Sequence, residues 1–315
     1  MSHNPVVTRE DVLAAATRIG GHVIRTPLTC TEIEGHKVWL NCESLQTGGA
    51  FKLRGASNRL LQLDEGERSR GVVAFSSGNH AQGVAIAAQR LGIRATIVMP
   101  SDAPALKVEG TRARGADIML YDRKTEDRVA IAARIAGETG AIVVPSFDDP
   151  DIVAGQGTVG LEIAEQLGRQ PLRIVVPCGG GGLSSGIALA CPQSEILVVE
   201  PEGWDDMGRS LALGEIVPVG ADAPPTLCDA LQTQLVSPIT YSILDAHEAK
   251  ALAVSESEVR AAIRWAWHEL HQKVEPGGAV ALAAALAGKV DLSDEPVLVL
   301  SGGNIDPALH AEIVA

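Results

Sequence analysis

The chain has 315 residues, of which 46% are hydrophobic and 21% charged, a composition typical of a globular protein that forms one large domain or two of ordinary size. Its 26 Lys and Arg residues stand against 39 Asp and Glu residues, so the formal net charge is −13. This charge would repel phosphate, which argues against a nucleic-acid or membrane partner and favours small-molecule chemistry.

The N-terminal segment, MSHNPVVTRED, has no cationic start followed by an apolar run, and no stretch of the sequence approaches the roughly 18 apolar residues of a membrane span. We therefore expect a cytoplasmic protein. The 5 cysteines are widely spaced and include no CxxC pair, which argues against a disulfide framework or a zinc site. We expect them to be reduced and mostly buried.

In chain order from residue 72, short apolar runs alternate with segments of helical periodicity. The runs are VVAF (72–75), ATIVMP (95–100), ADIMLY (116–121), AIVVP (141–145), RIVVP (173–177), EILVVE (195–200) and VLVLSG (297–302). Between them, segments such as HAQGVAIAAQRLG repeat apolar residues at intervals of three and four, and a capping box from Ser255 to Glu258 predicts a further helix start. This alternation predicts parallel sheets covered by helices on both faces.

Ligands of such sheets bind beyond the carboxyl ends of the strands, so the segments that follow the apolar runs are the informative ones. They include SSGNHAQG, PCGGGGLSSG, EPEGWDD and SGGN. The glycine run joins a predicted strand to a predicted helix, where backbone amides without side chains can bind a phosphate. It does not fit GxGxxG, and the single Gly-Lys pair is followed by Val290, so neither nucleotide motif is met. The alternative interpretation is a turn for close packing of strand and helix.

Lys52 lies in the stretch TGGAFKLRGA, between Phe51 and a glycine-rich turn. A tight apolar pocket would desolvate its amine and lower the pKa. An amine of this kind, together with a phosphate-binding loop, suggests pyridoxal phosphate, whose aldehyde is held as an imine by a lysine.

Six motifs along nearly the whole chain together resemble the serine/threonine dehydratase and serine racemase family. They are, in order, ESLQ with FKLRGA (43–46 and 51–56), SSGNHAQG (76–83), AGQGT (154–158), the glycine run (179–182), EPGGA (275–279) and SGGN (301–304). The resemblance implies a tryptophan-synthase-beta-like fold (type II), with two doubly wound α/β domains and pyridoxal phosphate in the cleft between them. It also implies a large domain of residues 1–53 and 146–315 and a small mobile domain of residues 54–145.

The resemblance also implies roles for single residues. Lys52 would hold the cofactor and move the substrate α-proton, with Phe51 against the ring. Asn79 would bind the ring hydroxyl and Ser301 would face the ring nitrogen. The phosphate would be held by Gly179, Gly180, Gly181, Gly182 and Leu183. Because a serine hydroxyl cannot protonate the ring as a carboxylate would, we expect elimination of a β-substituent rather than transamination.

The loop between the first predicted strand and its helix is expected to bind the substrate α-carboxylate through helix N-terminal amides. Its residues are Ser76, Ser77, Gly78, Asn79 and His80. In the racemase branch of the family, the residue that matches Ser77 acts as an acid and base opposite the lysine, so racemisation stays open. The alternative interpretation is that Ser77 only caps the helix.

The stretch EPEGWDD resembles the divalent cation site of the family. The matching ligands would be the carboxylates of Glu200 and Asp206 and the backbone carbonyl of Trp204. Oxygen ligands without His or Cys fit Mg²⁺ or Ca²⁺. The alternative is a solvated acidic loop.

Two positions depart from the family pattern. Ala50 stands where the family commonly has Ser before Phe-Lys, and Ala230 stands where it often has Gly after Asp. Both put the fine substrate geometry in doubt, and neither touches Lys52.

We therefore expect a cytoplasmic ammonia-lyase that converts a β-hydroxy α-amino acid to a 2-oxo acid and ammonia, with L-threonine and L-serine as default substrates. A 3-hydroxyaspartate would need a cation for its second carboxylate. Arg123, Lys124 and Arg128 form a basic cluster that could supply one, although such clusters are more often a solvated helix face.

Other functions remain as alternatives. An amino-acid racemase is the nearest, and replacement chemistry of the cysteine-synthase type is less favoured because that branch carries TSGNTG. A non-catalytic amino-acid-binding module is disfavoured by Lys52. The resemblance implies a homodimer or homotetramer, and the absence of sequence for a C-terminal extension after SGGN predicts no end-product feedback.

Overall fold

In a computed structural model that describes residues 7–103 and 105–315, the chain folds into two β-sheets with helices on both faces. The helices are α1 (Arg9–Ile19), α2 (Lys52–Leu61), α3 (Glu65–Arg70), α4 (Asn79–Leu91), α5 (Ala105–Arg112), α6 (Arg128–Thr139), α7 (Pro150–Leu167), α8 (Gly182–Ala190), α9 (Asp206–Leu213), α10 (Pro238–Ala246), α11 (Glu256–Leu270), α12 (Pro276–Leu286) and α13 (Pro307–Val314). Residues 1–6, part of the segment behind the location prediction, lie outside the described residues.

The strands are β1 (Leu28–Ile33), β2 (His36–Asn41), β3 (Val72–Phe75), β4 (Ala95–Pro100), β5 (Asp117–Tyr121), β6 (Ile142–Val143), β7 (Arg173–Pro177), β8 (Glu195–Pro201), β9 (Lys250–Val254) and β10 (Val297–Val299). The larger sheet has the order β1-β2-β10-β7-β8-β9, and the smaller sheet has the order β5-β4-β3-β6. All pairings are parallel except that of β1 with β2. The predicted α/β class with parallel sheets is confirmed.

Every apolar run predicted from the sequence contains a strand, and three strands were not predicted. These are β1, β2 and β9, of which β1 and β9 form the two edges of the larger sheet. The predicted helix start is confirmed, since the Ser255 hydroxyl accepts from the Glu258 N–H and the Glu258 carboxylate accepts from the Ser255 N–H. All five cysteines are free, and four of them are buried.

Helix α2 joins the two sheets because it packs on α4 beside the smaller sheet and on α7 beside the larger one. Its Arg54 is fully buried and forms ion pairs with Glu43 at 2.8 Å and with Glu162 at 2.7 Å. These contacts fix the first turn of α2, which begins at Lys52. Among the described helices, none is long and apolar enough to span a membrane.

Candidate active site

A cavity of about 690 Å³ lies between the two sheets and takes its walls from both. Strands β3 and β7 end at this cavity, and the segment that follows β10 forms part of its wall. The cavity wall includes all the residues predicted for the cofactor and the α-carboxylate: Phe51, Lys52, Ser76, Ser77, Gly78, Asn79, His80, Gly179, Gly180, Gly181, Gly182, Leu183 and Ser301. Residues far apart in sequence therefore meet at the carboxyl ends of parallel strands.

Lys52 presents an amine to this cavity. Its Nζ donates to the Ser146 carbonyl at 2.9 Å and lies 5.1 Å from the centre of the Phe51 ring. Burial lowers the pKa of Lys52 to about 8, although the Glu275 carboxylate acts to raise it. A sizeable neutral fraction of the amine is therefore present close to neutral pH, as a nucleophile or a base requires.

The glycine run forms the turn between β7 and α8. Gly181 has a φ of 83°, in the left-handed region that favours glycine, and it caps the start of α8. A Cβ at Gly180 would collide with the Phe147 ring. The first N–H groups of α8 have no partner inside the helix, so they remain for an anion at this end of the cavity.

Ser301 follows β10 and is 5% exposed. Its carbonyl accepts the Phe51 N–H at 3.2 Å, which ties the strand end to the residue before Lys52. An amine, a set of free helix amides and a hydroxyl thus surround one cavity. These groups fit pyridoxal phosphate, which needs an amine for its aldehyde, amides for its phosphate and a partner for its ring nitrogen.

The segment between β3 and α4 places a second helix N-terminus at the cavity. The Gly78 N–H donates to the Ser76 hydroxyl at 3.1 Å, and α4 begins at Asn79. His80 Nε2 lies 2.8 Å from the Val144 carbonyl, and burial lowers the pKa of His80 to about 3. Its imidazole is therefore neutral and donates to Val144, so its contribution to an anion is the backbone N–H.

Glu275 is a cavity residue for which the sequence suggested no role, although it belongs to the EPGGA motif. It is buried, and its Oε1 accepts from Asn79 Nδ2 at 2.5 Å. Burial raises the pKa of Glu275 to about 7; Asp229 acts in the same direction, and Asn79 and Lys107 oppose it. The signal in the sequence was an acidic residue directly before a helix that starts with Pro276.

The two departures from the family pattern lie at or beside the site. Ala50 is buried and pairs with Gly302 in an isolated β-bridge. Ala230 lines the cavity, and next to it the Asp229 carboxylate lies 2.5 Å from Lys107 Nζ. Lys107 also lines the cavity and was not predicted from the sequence.

The basic cluster after β5 is divided by the structure. Arg123 is exposed and pairs with Asp102 at 2.7 Å, and Lys124 is exposed. Arg128 instead lines the cavity, with its guanidinium 5.7 Å from the centre of the Phe75 ring. All three residues are exposed, as a solvated face predicts, and Arg128 in addition borders the cavity.

Glu200, Trp204 and Asp206 lie away from this cavity, at the turn from β8 to α9. Glu200 and Asp206 are fully buried, so a solvated acidic loop is the wrong interpretation for them. Glu200 accepts the N–H groups of Met207 and Gly208 at 3.0 and 2.8 Å, whereas neither Asp206 oxygen has a hydrogen-bond partner among the described residues. Within the same part of the chain, no three His, Cys, Asp or Glu side chains come together as a metal site.

Comparison with known proteins adds four similarities. The family model described as "Pyridoxal-phosphate dependent enzyme" matches residues 19–303. An L-threo-3-hydroxyaspartate ammonia-lyase from Pseudomonas sp. is 43% identical over 314 residues, which cover 96% of this chain and 97% of that protein. A serine racemase from Schizosaccharomyces pombe is 40% identical over 326 residues, which cover 100% of each chain. The structure of maize serine racemase superimposes with a TM-score of 0.92 at 36% identity, covering 98% of this chain and 96% of that one.

Proposed function

We propose that this chain, which belongs to the family of pyridoxal-phosphate dependent enzymes, is an ammonia-lyase that dehydrates 3-hydroxyaspartate. The observation that carries the choice of substrate is Arg128, a cation on the cavity wall. Among the described residues, no carboxylate lies within ion-pair distance of Arg128, whereas Lys107 is already paired with Asp229. A guanidinium in this state suits the second carboxylate of a dicarboxylic substrate. The 43% identity to a relative named for this substrate supports the choice.

Pyridoxal phosphate, when bound, withdraws electrons from the substrate α-carbon and makes its proton acidic. The amides of the turn from Gly180 to Leu183 would hold the phosphate, and Asn79 and Ser301 would contact the ring. Lys52 in its neutral form takes the α-proton at Nζ, which its lowered pKa permits. Ser301 would offer the ring nitrogen a hydroxyl and no carboxylate, so it would not protonate that nitrogen, which would favour elimination.

The substrate is oriented by both sides of the cavity. The N-terminus of α4 binds the α-carboxylate through backbone N–H groups, and Arg128 binds the second carboxylate. The bond from the β-carbon to its hydroxyl breaks, and the hydroxyl leaves as water. A second water molecule then hydrolyses the carbon–nitrogen double bond at the α-carbon. The products are a 2-oxo acid and ammonia.

Substitution of Arg128 tests the choice of substrate. We expect Arg128→Met to lower kcat/KM for 3-hydroxyaspartate by roughly tenfold to a hundredfold, the value of a charged hydrogen bond, and to change that for L-threonine much less. Arg123→Met is the matched control, since Arg123 belongs to the same cluster but pairs with Asp102 at the surface. Equal losses on both substrates, or none in Arg128→Met, would contradict the proposed substrate.

Racemisation is the second candidate function, and the observation that favours it is the position of Ser77 on the cavity wall. A serine there could deliver a proton to the α-carbon, and a serine racemase is 40% identical to this chain. Assays that follow both 2-oxo acid release and the interconversion of enantiomers decide between the two functions, because racemisation itself forms no 2-oxo acid.

We further propose that a divalent cation, Mg²⁺ or Ca²⁺, binds at the turn from β8 to α9. Support comes from the unpartnered, buried carboxylate of Asp206 at the same turn as the buried carboxylate of Glu200. The Trp204 carbonyl would be the third oxygen ligand. A buried carboxylate without a partner is costly unless a cation or a proton compensates it.

The assembly, domain motion and location of the protein also remain proposals. We expect a cytoplasmic homodimer or homotetramer, and we expect residues 54–145 to move as a small domain that closes over the cavity. The ion pair between Lys107 on α5 and Asp229, at 2.5 Å, supports closure because it joins the two sides of the cavity. Closure would exclude water from the reacting groups.

A further inference from the structure

A chain of hydrogen bonds fixes the side-chain amide of Asn79. Asn79 Nδ2 donates to Glu275 Oε1 at 2.5 Å, and Asn79 Oδ1 accepts from Asn304 Nδ2 at 2.8 Å. Asn304 Nδ2 also donates to the Gly48 carbonyl at 2.8 Å. Because a backbone carbonyl can only accept, Gly48 fixes the orientation of Asn304, and Asn304 in turn fixes the orientation of Asn79.

Two glycines of the sequence motifs make room for this chain. A Cβ at Gly302 would collide with the Glu275 carboxylate, and a Cβ at Gly49 would collide with the Asn304 amide. Gly49 has a φ of 75° and belongs to TGGAFKLRGA, whereas Gly302 belongs to SGGN. Neither Glu275 nor Asn304 can therefore hold its position if these glycines gain side chains.

The hydrogen-bonding capacity of Asn79 is then almost used up. Its oxygen faces Asn304 and one of its two N–H bonds faces Glu275, so one N–H remains for a group in the cavity. The remaining N–H of Asn79 therefore favours a hydrogen-bond acceptor in the cavity. If Asn79 contacts the ring hydroxyl of the cofactor, it stabilises the ionised oxygen over the protonated one.

We infer that Glu275 and Asn304 are positioning residues that keep Asn79 as a hydrogen-bond donor toward the cavity and thereby select the ionised form of the cofactor's ring hydroxyl. This inference rests on the proposed function, because it requires pyridoxal phosphate at this site. The ionised form is the one that absorbs visible light, so the inference has a spectroscopic signature apart from activity.

Asn304→Asp is the test variant because it changes a donor into an acceptor. Because a carboxylate at position 304 can only accept, the Asn79 amide would flip, with its N–H groups toward that carboxylate and its oxygen toward Glu275 and the cavity. Without this donor the ionised ring hydroxyl is less stable, so its pKa rises. We therefore expect the pH midpoint of the visible band to rise by roughly one unit or more. We also expect the dissociation constant for pyridoxal phosphate to rise by about tenfold.

The other charged groups that face Glu275 stay unchanged in this variant. They are Lys52, Lys107 and Asp229, of which the last two are paired with each other. Gln234→Glu is the control, because it makes the same amide-to-acid change at the exposed rim of the cavity, and the wild-type midpoint is expected there. Asn304→Ala removes the fixing contact without adding charge, and we expect a smaller shift in the same direction.

The purified holoenzyme is titrated with pH in an absorbance spectrometer, and folding of each variant is checked by circular dichroism. A wild-type midpoint and dissociation constant in folded Asn304→Asp would overturn the inference. If that variant does not fold, unchanged values in Asn304→Ala would do the same. A wild type without a Lys52-dependent band would instead overturn the proposed function, and this inference with it, so the two failures are distinct.

Discussion

At the scale of single residues, the proposed chemistry depends on the burial of one amine. The sequence predicted this for Lys52 from its neighbours, Phe51 and the glycines. It could not predict the Ser146 carbonyl or the Glu275 carboxylate, which lie far from Lys52 in sequence and reach it only through the fold. The local apolar pocket was therefore predictable, and the electrostatic balance of the amine was not.

This balance predicts how Lys52 titrates in the cofactor-free protein. The pKa is about 8 where an ordinary lysine has 10.5, so Lys52 becomes reactive over a pH range in which exposed lysines stay protonated. We expect attachment of pyridoxal phosphate to Lys52, trapped with borohydride and quantified by mass spectrometry, to show a midpoint near pH 8.

The variant Glu275→Gln tests the direction in which Glu275 shifts the pKa of Lys52. The Glu275 carboxylate raises the pKa of Lys52, so its removal should move the midpoint below that of the wild type. Lys52→Ala is the control for the labelled peptide. A wild-type midpoint at the ordinary value of lysine would show that the amine is not desolvated.

At the scale of elements, strands with an uninterrupted apolar run were predicted, including the exposed edge strand β5, whereas strands with a weaker apolar pattern were missed. Strands such as β3 and β7 are almost wholly buried and read as uninterrupted apolar runs. The missed strands β1 and β2 carry polar and charged residues that interrupt the apolar pattern, whereas β9 has one polar residue, Lys250, and two alanines, which are weak strand formers. The site depends on the ends of buried strands, which explains why its main segments could be located from sequence.

The turn from β8 to α9 carries a prediction about cations. In protein stripped of metal with EDTA, we expect millimolar Ca²⁺ or Mg²⁺ to raise the melting temperature by on the order of 2–5 °C, since a ligand that binds only the folded state stabilises it. Asp206→Asn should abolish the rise, because it removes one of the two buried carboxylates.

Asp205→Asn is the matched control, since it removes the same charge from the adjacent residue, which is partly exposed. It should keep the response to the cation. A wild type whose melting temperature responds to neither ion, or an Asp206→Asn variant that responds fully, would contradict cation binding at this turn.

At the scale of the whole molecule, the cavity forms because two sheets present their strand ends to each other. Motifs in the sequence located the segments around it, including the glycine run and SSGNHAQG. They did not show which residue of the basic cluster borders the cavity, or that Lys107 forms an ion pair with Asp229 there. Those contacts depend on how the two sheets are placed, which no local pattern encodes.

The most direct test of the account combines the absorbance spectra of purified wild type and Lys52→Ala with assays of 2-oxo acid and ammonia. The substrates are the L- and D-isomers of 3-hydroxyaspartate, threonine and serine. We predict a visible band in the wild type that shifts or disappears in Lys52→Ala, and release of both products with the highest kcat/KM for a 3-hydroxyaspartate isomer. A wild type reconstituted with pyridoxal phosphate that shows no band, or that only interconverts enantiomers, would contradict the lyase.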